Sequence, residues 1–527
     1  MLDHFPFYLI LVVSISMLIM LAQKIKVAYP VLLVLAGLGV SFIPAVPTLS
    51  IDPEMIFVIF LPPLLYEASW AISWKELWRW RRIIGSFAFV VVFLTAMSVA
   101  FVANHFIPGF SLALGFLLGG IVSPPDAVSA GTILKFVKVP KRFSSILEGE
   151  SLLNDASSLI IFRFALVAVA TGQFVWYEAV GSFVWMVVGG LGIGLAVGFG
   201  FMKMHKYLPT DANIDIVLSL VAPYAMYILA EETHSSGVLA VVSGGLWLST
   251  HRNRFLSSTS RLRGLNVWES FTFILNGLVF TLIGLELPEI TQGLAQEGVE
   301  LPTAIGYGLI ITGVLVVGRV IAAYGAVVTT LIARNFITVA DTSNPGIRGP
   351  FLLAWSGMRG VVSLAAALSI PIRLEDGTAF PHRNLILFIT FVVILLTLVV
   401  QGLTLPFFIK RIHIPDPDHS IPEEQEERIL QRELSRETLI YLKENHAEAI
   451  SRHSMLSQLH QRLESSCSSN EENPVWNKES AAVYHEVLNY QREWLLKKNR
   501  ENMILDEDIV RRQLQRVDLE EEKLRFL

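Results

Sequence analysis

IIGSFAFVVVFLTAMSVAFVA, residues 83–103, runs for 21 residues without one charged side chain. As a helix rising about 1.5 Å per residue it is about 31 Å long, the thickness of a bilayer's hydrocarbon core. Phe5–Ala22 and Leu385–Leu403 repeat the pattern. These are continuous apolar runs, not the one-faced stripes of soluble helices. A closed membrane barrel would instead show short alternating strands, and the sequence has none of that pattern. The whole chain agrees: of 527 residues, 53% are hydrophobic and only 17% charged, with a mean hydropathy of +0.54. A soluble chain of this length needs more charge to cover its surface. The expected fold class is therefore an all-α membrane protein.

Working outward from residues 83–103, hydropathy and helix breakers predict about thirteen spans. They fall near 5–23, 27–45, 52–73, 82–107, 110–136, 144–171, 175–203, 212–231, 235–250, 266–287, 303–334, 350–371 and 383–409. The ninth is short, and the eleventh is long enough to hold a bend. Alternate connections carry Lys24/Lys26, Lys75/Arg79/Arg81/Arg82, Lys135/Lys138/Lys141/Arg142, Lys203/Lys206, Arg252/Arg254/Arg261/Arg263, Arg334/Arg348 and Lys410/Arg411. Those between them hold no Lys or Arg, apart from Arg373–Arg383 with two. By the positive-inside rule the N-terminus lies outside and the C-terminus in the cytoplasm of a cell (inner) membrane. The first apolar run lacks a basic leader and a small-residue cleavage pattern, so it is expected to be the first membrane helix.

After Lys410 the composition changes. Ile414-Pro-Asp-Pro leads into Glu/Arg/Lys/Gln-rich sequence with helical spacing, interrupted by the polar stretch Ser465–Pro474. The expected division is a transmembrane domain over 1–411 and a cytoplasmic helical tail over 412–527. The tail reads as solvated helix, or as a regulatory or dimer-stabilising module. The single cysteine, Cys467, excludes an internal disulfide and any multi-cysteine metal site.

Two of the spans cannot run straight. The fifth holds Ser123-Pro124-Pro125-Asp126, whose prolines remove two backbone donors. The twelfth holds Ser356-Gly357-Met358-Arg359-Gly360, where two glycines weaken the helix. If spans 1–6 and 8–13 are two six-helix repeats, these are the fifth members of each. An odd number of spans separates them, so the repeats are inverted, and paired interruptions at matching places point to a transport site. A broken helix exposes positive and negative dipole ends within the membrane. Asp126 is suited to offset the first and Arg359 the second.

The sixth span reads Glu148-Gly-Glu150-Ser151-Leu-Leu-Asn154-Asp155. Asp155 lies near mid-depth, with Ser151 one turn earlier on the same face. Glu150 and Asn154 form a second such pair on the adjacent face. Glu67 on the third span and Arg319 on the eleventh add two more intramembrane charges. An isolated carboxylate there must pair, protonate or bind a cation. Asp155, Ser151 and Glu67 offer oxygens to a hard monovalent cation, with unwound carbonyls near Pro125. The same buried oxygen pair can hold a proton, because leaving water disfavours its charged form. Glu150 is expected to form a structural ion pair with Arg319. Arg163 is expected to pair with an acid or to snorkel. His105, His205, His234 and His251 are expected to be surface groups.

Pro124-Pro125-Asp126, Glu150-Ser-Leu-Leu-Asn154-Asp155 and Gly357-Met-Arg359-Gly360 together closely resemble the monovalent cation:proton antiporter-1 family of NhaP-type and NHE-type sodium/proton exchangers. The resemblance covers roughly residues 5–410. It implies thirteen spans, a homodimer, and a six-helix core moving against an interface domain. It also implies that Asp155 is the shared ion and proton site, with Ser151 and Glu67 contributing ligands. Asp126 would lie where the interrupted helices cross, and Asn154 would be a structural partner of Glu150 and Arg319. Asn154-Asp155, in place of two aspartates, is the family's mark of electroneutral exchange. One departure is that proline precedes Asp126 here, whereas many members read Asp-Pro.

The leading expectation is therefore a transporter exchanging Na+ or Li+ for H+, with K+/H+ exchange as a close variant. Its partners would be these ions and membrane lipid, with no cofactor, no nucleic acid and no enzymatic role. A membrane-embedded hydrolase using Asp126 and Asp155 as an acid pair is a different class. Asn154 beside Asp155 and the inverted interruptions weigh against it. A channel would need a carbonyl filter or charged ring, and neither is visible.

Overall fold

The computed structural model describes residues 5–43, 53–134, 137, 139–172, 176–333, 346–374, 377–412, 423–452, 454–468, 478–501 and 513–523 except 515 and 522. The Pro415/Pro417 linker, the polar stretch beyond Ser468 and the loop residues Lys135, Lys138 and Arg334 lie outside them. The described residues are helical, with one isolated bridge between Arg373 and Ala379. By contacts the chain separates into two compact units, Met1–Asp418 and His419–Leu527.

In the first unit the helices are α1 (Phe5–Ile25), α2 (Tyr29–Ser41), α3 (Pro53–Ala71), α4 (Trp74–Gly85) and α5 (Val92–Phe106). Then come α6 (Leu112–Val122), α7 (Ala127–Leu134), α8 (Lys141–Thr171), α9 (Trp176–Tyr207), α10 (Ala212–Glu232) and α11 (Gly237–Phe255). The rest are α12 (Ser258–Leu285), α13 (Leu287–Gln296), α14 (Leu301–Ala333), α15 (Arg348–Trp355), α16 (Val361–Leu368), α17 (Arg383–Leu396) and α18 (Gly402–Arg411). One wide π-helical turn, Ser86–Val91, joins α4 to α5, and another, Thr397–Gln401, joins α17 to α18. Among the described residues, eight stretches are long and apolar enough to cross a membrane, and three shorter helices are also apolar. α14 runs as one helix through the span thought long enough to bend.

These helices start where the sequence supplies caps. The side chains of Ser111, Asp211, Ser236 and Ser257 each accept a hydrogen bond from an amide in the first turn that follows, satisfying a donor that has no helical partner. Their outward faces stay apolar: Val13 and Met17 on α1, Trp185 and Val188 on α9, and Val317 and Ile321 on α14 are exposed. Such a surface suits hydrocarbon and not water. Inside, small residues let backbones approach. A Cβ on Gly119 of α6 would lie 2.4 Å from the Ala96 carbonyl oxygen of α5, and one on Gly115 2.6 Å from that of Ala100. This is the close-packed contact of membrane helices, which lack a hydrophobic drive between them.

Two groups of helices emerge. α1–α3 pack with α9–α12, while α4–α8 pack with α14–α18. α8 of the second group also touches α3 and α11 of the first. The second unit holds α19 (Glu423–Arg452), α20 (Ser454–Ser468) and α21 (Lys478–Glu501). α19 and α20 pack together.

Candidate ion site at the crossing of two broken helices

The prolines end α6 at Val122, and α7 restarts at Ala127. On the other chain segment α15 ends at Trp355 and α16 restarts at Val361. The two gaps meet: the Asp126 amide donates to the Met358 carbonyl at 2.7 Å. Three amides opening α7 are satisfied by side chains. Ala127 N donates to Ser151 Oγ at 3.1 Å, Val128 N to Asp126 Oδ1 at 3.0 Å and Ser129 N to Asp126 Oδ2 at 3.3 Å. Ser129 Oγ donates to the same Oδ2 at 2.5 Å. Asp126 thus places negative charge at a helix N-terminus, where the dipole favours it.

Arg359 sits at the opposite poles. Its Nε donates to the carbonyl of Val122, the last residue of α6, at 2.5 Å. Its Nη1 donates to the Gly357 carbonyl, just beyond α15. Its backbone amide is held by Thr397 Oγ1, in the wide turn, at 3.1 Å. Both glycines are sterically required. A Cβ on Gly360 would lie 2.2 Å from Asp126 Oδ2, and one on Gly357 2.3 Å from Arg319 Nε. They weaken the helix, as the sequence suggested, and they also leave room for two charged groups.

α8 passes beside this crossing with Asp155 near its middle, 7% exposed. Asp126 is close enough to act on it electrostatically. Among the described residues no side-chain or amide donor and no cationic group engages the Asp155 carboxylate. The two other buried carboxylates differ. Arg319 reaches both oxygens of Glu150, Nη1 to Oε1 at 2.7 Å and Nη2 to Oε2 at 2.9 Å. Asp215 accepts from Ser260 Oγ at 2.7 Å and meets His205 Nδ1 at 2.8 Å.

Several sequence expectations change here. Asn154 does not join Glu150 and Arg319. Its Nδ2 donates to the Pro125 carbonyl at 3.1 Å, and its buried Oδ1 has no partner. Proline lacks an amide but keeps a strong carbonyl acceptor, and the break leaves that carbonyl free to meet α8. Ser151 caps α7 through Ala127, so one of its acceptor positions already faces a protein donor. Glu67 is half-buried on α3, where it interacts electrostatically with Glu148 and Tyr29. Arg163 pairs with an acid, Glu231, which is one of the two outcomes expected for it. His205 is buried, not a surface group. Ser157, Ser129 and Thr397 were not singled out from the sequence. Ser157 Oγ donates at 2.5 Å to the Ala88 carbonyl, which lies in a wide turn. A serine two residues past Asp155 in an apolar span was the available signal.

A family model described as sodium/hydrogen exchanger, transmembrane, matches residues 10–411. A sodium, potassium, lithium and rubidium/H(+) antiporter of Bacillus pumilus (strain SAFR-032) is 36% identical over 386 residues, 72% of this chain and 57% of that protein. The Na(+)/H(+) antiporter ApNhaP of Aphanothece halophytica is 33% identical over 393 residues, 73% of this chain and 70% of that protein. The alignment to the first of these spans little more than half of the relative's length. Among solved structures, the sodium proton antiporter MjNhaP1 of Methanocaldococcus jannaschii superposes with a TM-score of 0.61 at 18% identity. It covers 78% of this chain and 99% of its own, a likeness of fold. The family match begins in α1 and ends with α18, taking in both broken helices and the carboxylate between them, and the chain belongs to the sodium/hydrogen exchanger family.

Proposed function

We propose that the protein exchanges Na+ or Li+ for H+ across the membrane at Asp155, by alternating access and without net charge movement. The observation that carries this is the contrast among buried carboxylates. Among the described residues, Glu150 and Asp215 are each engaged by protein partners, whereas the Asp155 carboxylate is not. A charged carboxylate so placed costs several kcal/mol, roughly, unless a cation or proton joins it. Around it the helix ends are already compensated by Asp126 and Arg359. The cargo alone then sets the state of the site. One carboxylate takes one cation or one proton, so each cycle swaps like for like.

In this reading Asp155 is the principal ligand of the transported cation. The free Asn154 Oδ1, the remaining lone pair of Ser151 and unwound carbonyls supply further oxygens. Glu67 and Glu148 lie on the side from which the cytoplasmic cation arrives. Asp126 and Arg359 hold the crossing, and Glu150–Arg319 braces α8 against α14. Thirteen spans, an outside N-terminus, a cytoplasmic tail after residue 411, an inner-membrane location and a homodimer complete the proposal. The alternating basic loops and the family fold support it. K+ exchange stays a second reading because the relative from Bacillus pumilus carries potassium in its name.

The test is reconstitution in vesicles with an internal pH dye. After a proton gradient is imposed, Na+, Li+ and K+ are added in turn. Exchange dissipates the gradient only with the right cation, and Asp155→Asn abolishes the response in protein that still elutes as folded. Full activity in that variant would reject the site.

A further inference from the structure

Arg163 lies two turns beyond Asp155 on α8 and pairs with Glu231 at the end of α10. The two helices belong to different groups: α8 packs with α4–α7, and α10 with α3, α9 and α11. Glu231 is fixed within its own group. Its Oε1 accepts from the amide of Gly237, the first residue of α11, at 3.1 Å, and a Cβ on Gly237 would lie 2.8 Å from that oxygen. On α8, Leu152, Ala156, Leu159 and Arg163 follow at helical spacing along one face. Leu152 and Ala156 belong to one buried hydrophobic cluster with Tyr66 of α3 and Val238 and Val242 of α11, and Leu159 packs against that cluster. Asp155 lies one turn before Leu159 on α8. Going outward from Asp155, the seam between the groups is thus closed first by Leu159 and then by the Arg163–Glu231 pair. Beyond the seam opens a cavity of about 440 Å³, lined by Arg163, Phe164, Val167, Trp185, Met186 and His234.

We infer that the Arg163–Glu231 pair is the outward gate of the exchange cycle, closing the seam between α8 and the α10–α11 corner and parting each time Asp155 faces outward. The inference rests on the exchange reading above. A carboxylate that serves both sides must be sealed from one while open to the other. Opening the outward route moves α8 away from α10 and α11, and the pair spans exactly that junction. Its side chains are 39% and 29% exposed. A pair this open shifts an equilibrium by up to about fivefold, enough to favour closure and weak enough to open on every turnover. The buried Glu150–Arg319 pair joins α8 to α14 inside one group and stays intact throughout.

The experiment uses the full chain with Cys467→Ser, in right-side-out vesicles. Leu159→Cys reports outward exposure through a membrane-impermeant maleimide. Glu231→Gln and, separately, Arg163→Gln raise its labelling rate by about two- to fivefold. A second measurement joins Arg163→Cys and Glu231→Cys with a short bifunctional methanethiosulfonate. Exchange stops, and dithiothreitol restores it. Unchanged labelling in both single variants, or cross-linked protein that exchanges at the free rate, overturns the gate. Lower melting temperature with unchanged labelling marks a static brace and also overturns it. A Cys467→Ser parent showing no cation-coupled proton movement rejects exchange itself, and the labelling comparison still decides the gate.

Discussion

Arg319→Ala isolates the energetics of the α8–α14 brace. In the structure Glu150 and Arg319 are both buried and joined by two parallel contacts, at 2.7 and 2.9 Å. Removing the guanidinium leaves a carboxylate in the membrane interior with no cation. Charge-assisted hydrogen bonds contribute about 1.5–3 kcal/mol each, and breaking a buried pair from one side costs about 3–5 kcal/mol in all. At about 2–4 °C per kcal/mol, the midpoint of thermal aggregation, followed by size-exclusion chromatography in detergent, falls on the order of 10 °C. Arg319→Met combined with Glu150→Gln leaves no orphan charge and recovers at least about half of that loss. Any folded Arg319→Ala protein keeps the parent's order of cation preference, because Arg319 does not face Asp155. A midpoint within about 2 °C of the parent would refute the reasoning, since an uncompensated buried charge cannot be that cheap. So would a double variant no better than the single one.

Gly360→Ala drives a methyl toward Asp126 Oδ2, and overpacking of this kind costs about 1–3 kcal/mol. Exchange should fall with it, because Asp126 loses its hold on α7. Wild-type transport in that variant would show that the crossing tolerates a shift. Ser151→Ala leaves the Ala127 amide without its acceptor, a loss of about 1 kcal/mol for a helix cap, with a raised half-saturating Na+ concentration in the vesicle assay. An unchanged value would remove Ser151 from the site. His205→Ala leaves Asp215 with Ser260 but without its imidazole, lowering stability by about 1–3 kcal/mol while Na+ affinity holds. A melting midpoint equal to the parent's would make the His205–Asp215 contact incidental.

The membrane fold was legible because each long apolar run carries its reason in its own composition: no water is available to satisfy backbone groups, so helix is the outcome. The breaks at Pro124-Pro125 and Gly357–Gly360, and the presence of Asp155 within an otherwise membrane-length span, were equally local facts. Helical spacing also put Ser151 and Asp155 on one face. Which helix each polar group meets was not local. Asn154 was assigned to Glu150 and Arg319, yet its amide reaches the Pro125 carbonyl, because the break on α6–α7 lies against α8 at that height. Arg163 and Glu231 are 68 residues apart, and nothing along the chain joins them. His205 looked like a helix-end surface group until α10 and α12 covered it with Asp215 and Ser260.

The sequence by itself determined that this chain is a bundle of membrane helices, two of them interrupted, with several carboxylates inside its apolar spans. Those properties follow from the solvation of each segment considered alone. The tertiary structure decided how the charges pair. Arg359 caps carbonyl ends, Asp126 caps an amide end, Arg319 neutralises Glu150, and the Asp155 carboxylate has no donor partner among the described residues. A helix's period fixes the direction a side chain points, but only packing between distant segments fixes what it finds there.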